Sequence, residues 1–307
     1  MTGRVVIFGS INMDLVVRGE RLPLPGETIH GQRFFTAPGG KGANQAVASA
    51  RLQAETRIIG CVGDDLFGST LIDSMHADGV DTTHVRVIDQ TSTGVALITV
   101  SETGENTIVL AAGANAHHGT EELAALRDIL RQTAAHHVLL LQLEIDLRQV
   151  EEAARIAKAS GMTVILDPAP ARPLPDALFQ NISLLTPNES EAALLVGYPL
   201  SSNAAVEQAA LDLLARGCEQ IVIKLGGRGA YWTDGTQTVW LKPFPVTAVD
   251  TVAAGDAFNG AVAAALSKGL AISEALRWGM AAGALSVTCE GAQPSLPTLA
   301  ELEALLQ

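Results

Sequence analysis

The stretch HVLLLQLEIDLRQVEEAARIAKASGMTVILD, residues 137–167, contains two short apolar runs separated by an amphipathic segment. The runs HVLLLQL and MTVILD are rich in Leu, Val and Ile and are bounded by polar residues or glycine, which is typical of fully buried strands. Between them, LRQVEEAARIAKAS repeats its apolar residues at helical spacing. This order of strand, helix and strand predicts a βαβ unit of a parallel sheet.

The same alternation continues through the rest of the chain. A second helical pattern, NAAVEQAALDLLARG, spans residues 203–217. Apolar runs of the buried-strand type recur in RVVIFGS, RIIGCV, SLLTP and EQIVIKL. Of the 307 residues, 48% are hydrophobic and only 4% aromatic, so the core is aliphatic, as suits buried parallel strands. We therefore expect an α/β fold, a central and mainly parallel sheet flanked by helices on both faces.

Two segments interrupt this alternation. Residues 14–36 and 93–110 contain strand-like runs separated by turn signals, PGE in the first and TGEN in the second, with no helix between them. We expect them to pair into a small sheet apart from the main one and to form a lid; two surface hairpins with no active role are the alternative. The sequence contains no internal repeat and no low-complexity tract. We therefore expect a single domain, residues 1–307, with the lid as an insertion.

The negative net charge of the chain limits the kinds of partner that it can bind. The net charge of −13 argues against duplex nucleic acid, because phosphate backbones are bound by basic faces. It does not exclude ATP, since an anionic ligand depends on its local pocket and on Mg²⁺. No uninterrupted apolar stretch approaches about 18 residues, and the N-terminal MTGRVVIFGSINMD has the form of a first strand, not of a signal peptide. We expect a cytoplasmic protein with no membrane partner.

The cysteines and histidines show no metal-binding spacing. Cys61, Cys218 and Cys289 are widely separated and form no CxxC motif, so neither a zinc site nor a disulfide framework is indicated. The seven histidines include no H-x-x-x-H pattern, and we interpret all of them as structural or surface residues.

The segment VDTVAAGDAF, residues 249–258, places one acid among small residues just before the helical pattern AFNGAVAAALSKG. A helix N-terminus offers unpaired N–H groups and the positive end of the helix dipole. Small residues ahead of the helix let a phosphate approach those amides, so Ala253, Ala254 and Gly255 are candidates for an anion site. Asp256 would then be a base at its edge. The alternative is that Asp256 only caps the helix.

Polar residues that suit a polyol occur in two further places. In APGGKGANQAVASARL, residues 37–52, a glycine-rich loop opens a helix and Asn44 projects from its first turn; this loop is neither a Walker A motif nor a dinucleotide fingerprint, and a plain turn is the alternative. Asn12 and Asp14 follow the first strand and Glu144 follows HVLLLQL, where the carboxyl ends of parallel strands converge on a ligand crevice. The alternatives are a turn residue for Asp14 and a solvated loop acid for Glu144.

Two segments suit a nucleotide and its metal ion. In TPNESEAALLVG, Thr186, Pro187 and Glu189 fit a helix capping box, which leaves Asn188 and Glu191 on one helical face to hold Mg²⁺ through waters. IKLGGRGAYW, residues 223–232, is predicted as a strand, a glycine turn and a second strand, against which an adenine or its phosphates could lie. The loop CEGAQPSLP, residues 289–297, could offer carbonyl oxygens to a monovalent cation.

Taken together, these motifs resemble the PfkB-type carbohydrate kinases over nearly the whole chain. The motifs that carry the resemblance occur in this order: GSINMD, PGGKGANQA, STGVALITV, GENTIVLAAGAN, DPAPARPLP, TPNESEA, VDTVAAGDAFNG and GAQPSLP.

The resemblance implies ATP-dependent phosphorylation of the primary 5-hydroxyl of D-ribose, with Mg²⁺ required and K⁺ as activator. It also implies the site residues. Asp256 corresponds to the catalytic base and Ala253, Ala254 and Gly255 to the anion hole. The sugar site corresponds to Asn12, Asp14, Gly40, Lys41, Asn44 and Glu144. The nucleotide contacts correspond to Asn188, Lys224, Gly226, Gly227 and Gly229. The K⁺ loop corresponds to Asp250, Val252, Ser286, Cys289, Gly291 and Ser295, mostly through backbone oxygens.

Other activities stay open from the residues alone. A kinase for 2-deoxyribose, for another pentose, for a nucleoside or for a sugar phosphate would share these motifs. A non-catalytic sugar-binding regulator is an alternative from a different class, although it would not need Asp256. The resemblance also implies that the lid forms the contact of a homodimer.

Overall fold

The computed structural model describes residues 3–131 and 136–307, so the first two residues of the predicted domain lie outside the described part of the chain. The described strands are β1 (Arg4–Phe8), β2 (Asn12–Gly19), β3 (Arg33–Gly39), β4 (Glu55–Gly63), β5 (Asp81–Ile88), β6 (Gly94–Ser101), β7 (Asn106–Ala111), β8 (Val138–Leu141), β9 (Thr163–Leu166), β10 (Leu184–Leu185), β11 (Ile221–Lys224), β12 (Ala230–Thr233) and β13 (Thr238–Leu241). The described helices are α1 (Lys41–Arg51), α2 (Leu66–Ala77), α3 (Thr120–Leu130), α4 (Leu147–Ala159), α5 (Asp176–Phe179), α6 (Glu189–Val196), α7 (Asn203–Ala215), α8 (Ala254–Ser267), α9 (Ile272–Ser286) and α10 (Leu299–Leu306).

The larger sheet has the strand order β13-β12-β11-β10-β9-β8-β1-β4-β5. Its strands pair in parallel from β5 to β11, and only β12 and β13 run antiparallel. The apolar runs that predict buried strands all lie in this sheet, and the two helical patterns form α4 and α7. The predicted mainly parallel α/β fold is confirmed.

The core lies on both faces of this sheet because its central strands carry apolar side chains on both faces. In β1, Val5 and Ile7 pack on one face with side chains of α1, α8 and α9. Val6 and Phe8 pack on the other face with side chains of α3, α4 and α7. All four residues are fully buried, which explains why the run RVVIFGS shows no polar alternation.

The small sheet has the order β3-β2-β6-β7. It joins the two interrupting segments, because β2 pairs in parallel with β6 from Asn12 opposite Gly94 to Gly19 opposite Ser101. The predicted separate sheet is therefore confirmed, although β2 begins two residues earlier than the predicted segment. Two independent hairpins would not form this parallel pair.

No helix in the described ranges is long and apolar enough to cross a membrane. Cys61, Cys218 and Cys289 are free thiols. Among the described residues, no three His, Cys, Asp or Glu side chains group closely enough to hold a metal ion by themselves.

Candidate active site

The crevice of the site is formed where strands of both sheets end or begin. Glu144 follows β8, and its carboxylate accepts hydrogen bonds from Ser10 Oγ at 2.6 Å and from Asn12 Nδ2 at 3.3 Å. It also accepts from the Lys41 backbone N–H at 3.1 Å. Glu144 is thus tied to the end of β1 and to the start of α1, and its interpretation as a solvated loop acid is wrong.

Asn12 and Asp14 lie on the same side of β2, because they are two residues apart in a strand. Asn115 fixes Asn12, since its Nδ2 donates to Asn12 Oδ1 at 2.7 Å. Asp14 lies in the strand itself, so its interpretation as a turn residue is wrong. Burial, together with the negative charges of Glu144 and Asp256, raises the pKa of Asp14 to about 7.

The glycine-rich loop brings the backbone of two elements close together. A Cβ on Gly40 would lie 2.7 Å from the backbone nitrogen of Asn12, and the φ of Gly40 is 87°. Lys41 begins α1 directly after it. Burial lowers the pKa of Lys41, but the negative charges of Asp256 and three other carboxylates outweigh it and hold that pKa above its ordinary value.

Asp256 lies at the other side of the crevice, in the first turn of α8. This helix begins at Ala254, three residues before the predicted start, and its N-cap is Ala253 in a left-handed conformation with φ of 61°. The Asp256 carboxylate is held by two side chains of α1, because Asn44 Nδ2 and Gln45 Nε2 each donate to it at 3.0 Å. Asp256 is only 4% exposed and does not cap the helix, so the capping interpretation is wrong.

The surroundings of Asp256 favour both a proton acceptor and an anion. Burial raises the pKa of Asp256 above its ordinary value and Asp167 adds to this effect, while the positive charge of Lys41 opposes it. The backbone N–H of Ala254 lies 3.4 Å from its nearest acceptor, the carbonyl of Thr251. In the described ranges, the N–H groups of Gly255 and Asp256 donate to no protein acceptor. Free amides at a helix N-terminus are the groups that bind phosphate.

The sequence analysis missed three residues that connect this acid to the main sheet. Gln45 Nε2 donates both to Asp256 and, at 3.1 Å, to Asp167 Oδ2. Gln142 Nε2 donates to Gln45 Oε1 at 2.6 Å and thereby fixes the orientation of the amide. Asp167 follows β9 as Glu144 follows β8, so the rule that found Glu144 predicts Asp167 as well. No sequence signal distinguishes Gln45 or Gln142 from an ordinary polar residue.

A cavity of about 430 Å³ opens beside Ala254 and Gly255. One wall is the turn between β11 and β12, and the other is formed by segment 243–248 and by α9. The residues predicted for nucleotide binding that line it are Lys224, Gly226, Gly227, Gly229 and Gly255. Its other walls carry mainly apolar side chains, as is typical of a site for the flat face of a base.

The predicted capping box at the start of α6 is displaced by two residues. The helix begins at Glu189, with Asn188 as N-cap and Glu191 as the reciprocal partner. The cause is the Asn188 side chain, whose Oδ1 accepts from the Glu191 N–H at 2.8 Å, while Glu191 Oε2 accepts from the Asn188 N–H at 2.7 Å. The Thr186 and Glu189 assignment is therefore wrong. Burial and the charge of Asp167 raise the pKa of Glu191.

The residues predicted for a K⁺ site come from two loops that meet near the start of α8. The Asp250 carboxylate joins the loops, because it accepts from the Val252 N–H at 3.0 Å and from the Gly291 N–H at 2.9 Å. The Ser286 hydroxyl donates to the Gly283 carbonyl at 2.9 Å, and the Cys289 N–H donates to the Ser286 carbonyl at 3.4 Å. Ser295 lies in the same loop, where its hydroxyl donates to the Ala292 carbonyl at 2.8 Å.

A buried acid, Asp256, adjoins the helix residues Ala254 and Gly255 that line the cavity, and the polar side chains of Asn12, Asp14 and Glu144 form the crevice with it. This is the arrangement of an α/β enzyme that transfers a phosphoryl group to a hydroxyl. Residues 2–299 match the pfkB family of carbohydrate kinases, and the chain belongs to that family.

Individual relatives are similar over nearly the full length. A ribokinase of Haemophilus influenzae is 44% identical over 301 residues, which cover 98% of this chain and 97% of the relative. A deoxyribokinase of Salmonella typhimurium is 34% identical over 303 residues, or 98% of each chain. The solved structure of Arabidopsis thaliana ribokinase complexed with ribose and ATP has a TM-score of 0.91 at 33% identity, and the similarity covers 100% of this chain and 99% of that one.

Proposed function

We propose that this enzyme transfers the terminal phosphoryl group of ATP to the 5-hydroxyl of D-ribose. The observation that carries the proposal is the position of Asp256, 4% exposed and held by two amides, next to the free N–H groups of α8 and directly after Gly255, which lines the cavity. The similarity to a relative complexed with ribose and ATP supports the choice of both substrates.

Asp256 acts as the general base. The positive charge of Lys41 favours the ionised form of the Asp256 carboxylate, which accepts the hydroxyl proton as the oxygen attacks phosphorus. Phosphoryl transfer passes through a loose transition state, so positioning and charge stabilisation matter more than base strength. The N–H groups of Gly255 and Asp256, which have no protein acceptor within the described ranges, stabilise the charge on the phosphoryl oxygens.

The sugar lies between β2 and the start of α1. Asp14 and Glu144 accept hydrogen bonds from sugar hydroxyls, and Asn12 offers both a donor and an acceptor. Asn44 contributes its Oδ1, a buried oxygen with no hydrogen-bond partner among the described residues. A buried unpaired acceptor costs free energy until a ligand donor reaches it, so this atom favours a hydroxyl-rich ligand. Gly40 lets the loop backbone approach, and Lys41 lies among the acids.

ATP occupies the cavity, with its phosphates toward Gly255. Asn188 and Glu191 carry side-chain oxygens near Asp167, and these oxygens could hold Mg²⁺ through bridging waters. The ion would shield phosphate charge when bound. Asp250 joins the two loops by accepting from the backbone N–H groups of Val252 and Gly291, and carbonyl oxygens of the same loops would hold K⁺. Through Val252 these loops fix the chain just before the anion hole.

The small sheet is the proposed contact of a homodimer. Its outer strand β7 is exposed over its whole length and carries Ile108, Val109 and Leu110, of which Val109 is 63% exposed. An exposed apolar edge strand is an aggregation hazard unless another chain covers it. A second copy that covers β7 would also close the sheet over the sugar.

A substrate panel tests this proposal. ADP release is measured with ATP, Mg²⁺ and each of D-ribose, 2-deoxy-D-ribose, adenosine and fructose 6-phosphate, with and without K⁺, and phosphorus NMR identifies the product. We expect D-ribose to be the best substrate and its product to carry phosphate on oxygen 5. A missing hydroxyl leaves a buried acceptor unpaired, so kcat/KM for 2-deoxyribose should be lower by about tenfold or more.

The deoxyribokinase relative makes 2-deoxyribose the second candidate substrate. Equal kcat/KM for the two pentoses, or a preference for the deoxy sugar, would replace D-ribose as the assigned substrate. If ATP is consumed with no compound of the panel, the sugar-kinase assignment itself is contradicted.

A further inference from the structure

The side chain of Lys224 reaches the phosphate end of the cavity from the last residue of β11. Its Nζ donates to Asp167 Oδ1 at 2.9 Å, and the two side chains are 15% and 2% exposed. The other Asp167 oxygen accepts from Gln45, which also holds Asp256. The ammonium group therefore belongs to the same hydrogen-bonded chain as the base.

Lys224 also lies against the helix end that carries the free amides. A Cβ placed on Gly255 would come 3.2 Å from Lys224 Nζ, so the ammonium stands directly over the Gly255 backbone. Lys224 is the one charged side chain among the described residues that line the cavity. One of its N–H donors is used by Asp167, and an ammonium has three.

We propose that Lys224 is a catalytic residue whose ammonium joins the α8 amides in stabilising the transferred phosphoryl group. Asp167 is the positioning residue, because its buried carboxylate holds the ammonium over Gly255. The inference rests on the proposed kinase function. During transfer the bond from the terminal phosphorus to the ADP oxygen breaks, a bond to the sugar oxygen forms, and the proton goes to Asp256. Lys224 keeps its protons and contributes only charge.

The position of the ammonium explains why residue 255 is glycine. A Cβ at residue 255 would lie 3.2 Å from Lys224 Nζ, so the ammonium would have to shift by a few tenths of an ångström. A fixed positive charge at this point acts where negative charge shifts during transfer, so it stabilises the transition state more than bound ATP.

The test is Lys224→Ala, with Lys242→Ala as the matched control. Lys242 is exposed and adjoins the cavity wall at Pro243, so its loss removes the same charge from the same region without touching the phosphates. We expect kcat of Lys224→Ala to fall by about 10²-fold, as for removal of one transition-state donor, while KM for ATP changes by less than about fivefold. Lys242→Ala should retain wild-type kinetics.

Chemical rescue separates a catalytic ammonium from a structural lysine. Ethylammonium can enter the space left in Lys224→Ala, because the residue lines an open cavity. We expect ethylammonium to raise kcat in a saturable manner and ethanol at the same concentrations to have no effect. A loss confined to KM for ATP, a loss equal to that of Lys242→Ala, or no rescue by the amine would each overturn the proposal.

Removal of Lys224 alone leaves the buried Asp167 carboxylate without its ion-pair partner and could prevent folding. The double variant Lys224→Met with Asp167→Asn removes both charges, so it tests the role of the ammonium even if Lys224→Ala does not fold. We expect it to turn over at least as slowly as Lys224→Ala, and wild-type turnover would contradict the role of the ammonium. If the wild-type enzyme itself phosphorylates no sugar, the proposed kinase function is wrong. That result is distinct from the variant results, which test only the role of Lys224.

Discussion

The two acids that flank the crevice, Asp256 and Asp14, are held by contrasting parts of the molecule. Asp256 lies on the main sheet side, where two side chains of α1 bind it and the amide of Gln142 orients one of them, Gln45. Asp14 lies on the small sheet, whose outer strand β7 is exposed at every position. Under the proposed function, the group that does chemistry is fixed by the core, whereas the group that recognises the sugar belongs to the small sheet.

The sharpest test of this contrast is Asp256→Asn. The amide keeps the shape of the carboxylate but cannot accept the hydroxyl proton. We expect kcat to fall by about 10²–10⁴-fold, the usual contribution of a general base, while the Kd for ribose measured by calorimetry stays near the wild-type value. Turnover within a few-fold of wild type would show that another group accepts the proton.

The corresponding change on the small sheet is Asp14→Ala. It removes charge-assisted hydrogen bonds to the sugar, each of which is worth about 1.5–3 kcal/mol. We expect KM for ribose to rise by about 10- to 100-fold, with a smaller change in kcat than in Asp256→Asn. Asp14→Asn, which retains one acceptor, should lie between Asp14→Ala and wild type. An Asp14→Ala enzyme with lower kcat but unchanged KM would contradict a role in sugar binding.

The raised pKa of Asp14 predicts a pH dependence that Asp14→Asn should lack. Sugar hydroxyls donate to the ionised carboxylate, and this form becomes populated as pH rises through about 7. We therefore expect KM for ribose to fall between about pH 6 and pH 8, and ribose binding to release a proton. Calorimetry in two buffers of different ionisation enthalpy measures that proton.

The same raised pKa affects the unfolding free energy of the protein without ligand. A folded-state pKa above the unfolded value adds stability at low pH, and this contribution is lost as pH rises through about 7. The loss begins at the unfolded-state pKa of 3.8, so Asp14→Asn should gain more stability over wild type at pH 8 than at pH 5. A gain that is equal at both pH values would show that burial of a charge is not its cause.

The smallest effect on activity is expected at the outer strand of the small sheet, with Val109→Asp. A charge on an apolar contact carries a desolvation cost, so this variant should be a monomer in analytical ultracentrifugation where the wild type is a dimer. Thr107→Asp, on the same strand, tests whether apolar contact or any added charge is responsible. A wild-type monomer, or a Val109→Asp dimer, would remove the small sheet as the contact between subunits.

Much of this contrast could be predicted from the sequence, because buried parallel strands and exposed hairpin-like strands have different patterns. The position of Glu144 after a buried run also follows from a general rule, since parallel strands end at one edge. The start of α6 could not be fixed in this way. Thr186 and Asn188 are both good N-caps. Asn188 makes the reciprocal hydrogen bonds with Glu191, whereas the N–H and the hydroxyl of Thr186 donate to the Leu166 carbonyl of the main sheet.

The contacts that hold Asp256 could not be predicted from the sequence for another reason. Gln45 and Asp256 are separated by 211 residues, and their hydrogen bond depends on how α1 packs against α8. A Gln near the start of a helix is ordinary by pattern, and its burial is determined only by the assembled core. The residues proposed to bind a ligand followed from local motifs, whereas those that orient them did not.

The amide of Gln45 touches Asp167 and Asp256 with one nitrogen and is fixed through its oxygen by Gln142. These three contacts lie entirely within the body of the protein and involve no residue of the small sheet. Evolution or design can therefore exchange one acceptor alcohol for another by changing residues of the small sheet, while the residues that hold Asp256 stay the same.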